Sequence, residues 1–128
     1  MTLANFDDYP HFSKHEFDCS HTGGNLMRKE FMDTLHLIRS MYGKPLYVTS
    51  GYRSPEHPIE KAKGRIGEHT LGCAADFRIR GVNAIELINI AYTVGIRRIG
   101  VQQKGSGRFI HLGMGDQLHD FPASIWSY

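Results

Sequence analysis

The chain is short of cysteine, of tryptophan and of any surplus of one charge, and it has no long apolar run. Its two cysteines, Cys19 and Cys73, sit in unlike local contexts, so no disulfide framework is expected and both read as free thiols. Nothing approaches the roughly 20 apolar residues that span a bilayer. The start MTLANFDDYPHF has neither a basic flank nor an apolar segment, so neither an export signal nor membrane insertion is expected. Fifteen Lys and Arg against 13 Asp and Glu leave a net charge of +2 and no basic stripe, which excludes nucleic acid as the expected partner. Internal repeats, low-complexity tracts and Pro/Ser-rich linkers are also missing, so the 128 residues read as one domain, 1–128. A chain of this length buries roughly two-thirds of its unfolded surface, enough for one core without staples.

What the chain does have is 14 glycines and eight histidines, and the histidine count raises the question of metal or acid-base chemistry. Met27, Phe31, Leu35, Ile38 and Tyr42 recur at helical spacing, which predicts a helix over 25–42 with Asn25 as N-cap and Gly43 as its stop. Residues 45–49 read as a short strand ending at Ser50-Gly51, and 52–67 as a long polar loop. In 72–79, Cys73, Ala75, Phe77 and Ile79 alternate with Gly72, Ala74, Asp76 and Arg78, a strand with a single acid on one face. A second helix is predicted from Asn83, with Glu86 completing a capping box, Ile85, Ile88 and Tyr92 along one face, and Gly95 closing it. Two strands, 96–102 and 108–113, follow around the turn Lys104-Gly105-Ser106-Gly107. This order implies an α+β domain, an antiparallel sheet flanked by helices.

The most informative stretch is 67–76, which places His69 in a loop and Asp76 seven residues on in a strand. His111, on a neighbouring strand, supplies a third donor, and two imidazoles with one carboxylate would leave the fourth tetrahedral position of zinc open. By spacing alone the same residues better fit a loop histidine, a paired strand acid and a half-buried strand histidine with its ring nitrogens satisfied.

Three blocks extend the reading: Ser50-Gly51-Tyr52-Arg53-Ser54-Pro55, then His69-x-x-Gly72-x-Ala74-x-Asp76, then Phe109-Ile110-His111. In order and spacing they resemble the signature blocks of the zinc D-alanyl-D-alanine carboxypeptidase and L-alanoyl-D-glutamate endopeptidase family, with its hedgehog-type fold. Phe12-Ser13-x-x-Glu16-Phe17-x-Cys19, the helix before Gly43, and Gly100 fit too, so the resemblance covers nearly the whole chain. It implies His69, Asp76 and His111 as zinc ligands, and Arg53 as the residue that binds a substrate carboxylate or carbonyl oxygen, a task suited to its bidentate fork. Ser50 would support that turn, and Gln103, with Gln102, would donate to substrate where the hairpin nears the cleft.

Two departures from the family stand out. Many members carry an acid three residues before the last zinc histidine as general base, and smaller ones carry His-x-Asp; here those positions are Arg108 and Gly113. Arginine cannot accept a proton. Glu68, beside His69, is the expected substitute base, with Glu60 as the other candidate and His57, His119 and Asp116 behind them; a solvated loop acid is the plain alternative for the two glutamates. The resemblance implies hydrolysis of peptidoglycan stem peptides by a monomer similar to the endolysins of tailed phages, made in the host cytoplasm and reaching the periplasm after holin release. The rival expectations are a zinc-stabilised wall-binding or virion module that has lost its base, and a metal-free domain.

Overall fold

The computed structural model describes residues 2–128. Five strands form one sheet in the order β1-β2-β4-β3-β5: β1 (Tyr47–Ser50), β2 (Ala74–Arg78), β3 (Arg98–Gln102), β4 (Phe109–Gly113) and β5 (Ser124–Ser127). All neighbours are antiparallel except β3 and β5, which run parallel. The helices are α1 (Lys29–Tyr42), α2 (Pro58–Lys63), α3 (Gly81–Thr93) and α4 (Gly115–Leu118). The expected α+β class and antiparallel sheet are observed, with β5 as an addition that the sequence analysis missed.

Phe31, Leu35, Ile38 and Tyr42 of α1 are buried at the predicted spacing, and Gly43 ends the helix at φ +74°. The start differs. Asn25 does not cap α1; its side chain accepts from Met27 N and donates to Asp18, while residues 27 and 28 stay outside the helix because their backbone groups bond Ala4 and Gly72. The capping box at Asn83 is likewise not formed. Asn83 and Glu86 both bind Lys44 Nζ at 3.0 Å inside a helix that begins at Gly81. Ile85, Ile88 and Tyr92 do share a face, but Ile85 and Tyr92 are exposed; Ala84, Leu87 and Ala91 form the buried one.

The predicted polar loop 52–67 contains α2. Pro58 opens it, His57 caps it by accepting from Ile59 N at 3.2 Å, and Gly64 closes it in the left-handed region. A short proline- and lysine-rich helix shows too little apolar periodicity to be read from sequence.

The register of the sheet positions the site. Asp76 on β2 lies opposite His111 on β4, His111 opposite Gly100 on β3, and Gly100 opposite Trp126 on β5. Because side chains alternate along a strand, Asp76, His111 and Trp126 share one face, while Phe77, Ile110 and Leu112 point the other way into the core with α1 and α3. β2 is buried on both faces, so its alternation reads as small and polar against large rather than as solvent against core.

Candidate metal centre and cleft

His69, Asp76 and His111 converge on one point: each offers one donor atom, and these atoms lie within 4.8 Å of one another. All three residues are buried, at 4% to 6% exposure. The loop carrying His69 is held by Gly72, whose φ of +71° and position 1.9 Å (for an added Cβ) from Leu26 O leave no room for a side chain.

The second nitrogen of each ring fixes which face is free. His69 Nδ1 lies 2.8 Å from Gly51 O, so it donates, and the Nε2 lone pair faces Asp76 Oδ1 at 3.4 Å. His111 lies between two carboxylates, with Nε2 2.9 Å from Glu68 Oε1 and Nδ1 2.9 Å from the same Asp76 oxygen. With a neutral ring donating to Glu68, Nδ1 would join His69 Nε2 and the Asp76 oxygen as a donor set suited to a cation. The same contacts set the pKa values. Burial would raise Asp76, but hydrogen bonds and charge from His111 and His69 hold it far below the usual carboxylate range. Burial pushes His69 down, whereas at His111 the carboxylates of Asp76 and Glu68 overcome burial and push it up. Two imidazole nitrogens with one carboxylate oxygen fit a divalent ion of zinc's ligand preference with an open fourth position.

The centre opens on a cleft of about 730 Å³. Arg53 lines it, pinned on three sides: Nε donates to Ser50 Oγ at 2.9 Å, and Nη1 and Nη2 lie 3.3 Å from Glu60 Oε2 and Asp76 Oδ2. Lys63, Arg65 and Arg98 add positive charge to the lining. Phe109, Trp126 and Tyr128 give it an aromatic wall, with the Trp126 ring centred 5.1 Å from that of His111. Gly100 admits this wall, since a Cβ there would lie 2.8 Å from the indole.

The structure brings together His69, Asp76, His111, Arg53, Ser50 and Glu68 of the residues singled out in the sequence. Gln103 is not in the cleft lining; its amide nitrogen donates to the carbonyls of Ile79 and Gln102 and closes the hairpin. Glu60 is buried behind Arg53, held also by Lys63 and Thr70, rather than lying over the three donors. His57 is spent on capping α2, and Asp116 and His119 lie at α4, outside the lining. Glu68 does line the cleft, but its carboxylate sits at the Nε2 edge of His111, with the imidazole between it and Asp76. The sequence analysis missed Arg98, Trp126 and Tyr128. Their only signal is a spacing of two, Arg98 with Gly100 on β3 and Trp126 with Tyr128 at the end of β5.

The model of the Peptidase M15 family matches residues 10–113, which includes all three donors and stops at the end of β4. No curated protein matches the chain closely enough to add a second comparison.

Proposed function

Because the chain belongs to the peptidase M15 family, we propose that it is a zinc-dependent endo- or carboxypeptidase that hydrolyses peptidoglycan stem peptides, at the L-Ala–D-Glu or D-Ala–D-Ala bond, as a monomeric phage endolysin. In that role it would be made in the host cytoplasm and act in the periplasm. The observation that carries the catalytic part is the convergence of two imidazole lone pairs and one carboxylate oxygen at the floor of a cleft.

His69, Asp76 and His111 would hold zinc, which would supply Lewis acidity and lower the pKa of water at the site. The residues around it do the rest. Gly51 O fixes the tautomer of His69, so that its Nε2 faces inward. Arg53, oriented by Ser50 and Glu60, presents a positive charge to a substrate carboxylate or to the oxygen of the scissile carbonyl. Lys63, Arg65 and Arg98 favour a peptide bearing free carboxylates, and stem peptides carry these. Phe109, Trp126 and Tyr128 offer aromatic surface to the bound chain.

A second reading, a zinc-held wall-binding module with weak or no activity, is favoured by one observation. The carboxylates lining the cleft are Asp76 and Glu68, and both are engaged by imidazoles. A single assay separates the two: release of new amino groups from purified Gram-negative peptidoglycan by zinc-loaded, chelated and Arg53→Ala protein, with products identified by mass. Zinc-dependent release supports the peptidase and names the bond. Sedimentation of the zinc-loaded protein with the wall, without release, supports the module.

A further inference from the structure

Glu68 is the one buried acid of the site that is neither a candidate ligand nor a partner of Arg53. Its environment is unusually specific. Oε1 accepts from His111 Nε2 and lies 2.9 Å from Arg98 Nε, and Oε2 accepts from Gly115 N at 2.8 Å. The carboxylate rests on two glycines. A Cβ at residue 113 would lie 2.1 Å from Oε2 and 2.5 Å from the carboxyl carbon, and one at residue 115 would lie 2.9 Å from Oε2. Residues 111 and 113 share a face of β4, so any acid placed at 113 would begin where the Glu68 carboxylate ends.

We propose that Glu68 is a positioning residue for the metal ligand His111, delivered from the 67–72 loop into space that Gly113 leaves free. Its carboxylate holds the Nε2 proton and so commits Nδ1 to the ion, and Arg98, opposite Gly113 in the register, holds the carboxylate. Gly113 and Glu68 thus form a matched pair in which either an acid at 113 or one at 68 fits, not both. The inference rests on the proposed metal site and makes Glu68 a group that orients a ligand rather than one that moves protons.

The test is zinc affinity by competition with a chromophoric chelator, together with imidazole ¹⁵N shifts of the apo and zinc-loaded protein. For Glu68→Ala the expected result is affinity about 10- to 100-fold weaker and loss, in the zinc-loaded protein, of the carboxylate-bonded Nε2–H shift of His111. Gly113→Asp alone is expected to weaken zinc and lower the melting temperature in chelator, because two carboxylates crowd one cradle. Glu68→Ala/Gly113→Asp is expected to regain affinity to within a few-fold of wild type and to restore that shift, which a filler of space alone would not do. Glu68→Gln, measured in chelator, separates folding from ligation. Wild-type zinc affinity in Glu68→Ala, or no rescue in a folded double variant, overturns the inference while leaving the metal site intact. Absence of zinc binding in the wild type overturns both.

Discussion

Arg53 shows how much of the site turns on single side chains. Its guanidinium meets Ser50, Glu60 and Asp76 through three different nitrogens, a fan that the ammonium of lysine cannot reproduce. Arg53→Lys is therefore expected to lower kcat/KM on peptidoglycan about 100-fold, the scale of losing one oriented donor at a developing charge, and steady-state kinetics with a soluble stem peptide check it. His69, Asp76, His111 and Arg53 were singled out in the sequence through the resemblance of their blocks, since spacing alone did not favour a metal, and the structure places all four on one cleft. Arg98 was not singled out, since its role depends on lying opposite Gly113 across a strand pair, a fact of register that no linear pattern records. Glu68 was legible as an acid beside a ligand, but its direction was not. Only the empty cradle of Gly113 and Gly115 shows which edge of His111 it reaches.

At the level of elements, the loop between α2 and β2 has to bring His69 over a strand it does not belong to. Gly72 makes that turn with φ +71°, packed against Leu26 O, and its carbonyl receives Arg28 N at 2.9 Å. Gly72→Ala is expected to cost about 3 kcal/mol, from left-handed strain together with overpacking, and to lower the melting temperature by about 10 °C, as thermal unfolding in chelator would show. Periodicity located α1 and the central strands correctly, because long apolar repeats survive local competition. It misjudged both helix starts, where side chains that favour caps were claimed by tertiary partners: Asn25 by Asp18, and Asn83 by Lys44. The strand β5 was missed because four residues are too few for alternation to show and its parallel pairing with β3 comes with no hairpin to announce it.

Across the whole molecule, two ionic arrangements tie function to stability. Glu60 is almost wholly buried; burial alone would raise its pKa, but Lys63, Arg53 and Thr70 outweigh that and hold it below its ordinary value of 4.5. Since the unfolded chain then takes up this proton at higher pH than the folded one, the stabilisation is present above about pH 4.5 and lost as the pH falls through the folded value. Glu60→Gln is expected to destabilise the protein by about 2 kcal/mol at pH 7, with the gap to wild type closing in acid, as urea melts at several pH values would reveal. The second arrangement is the metal centre. Zinc at about 1,000 times its dissociation constant would add about 4 kcal/mol, so chelation is expected to lower the melting temperature measurably. The central claim is that His69, Asp76 and His111 together hold a metal ion, and metal stoichiometry by elemental analysis after dialysis against zinc tests it most directly. The account predicts one equivalent in the wild type and almost none in Asp76→Ala or His111→Ala. A wild type without zinc, or a full equivalent retained in either folded variant, would contradict it.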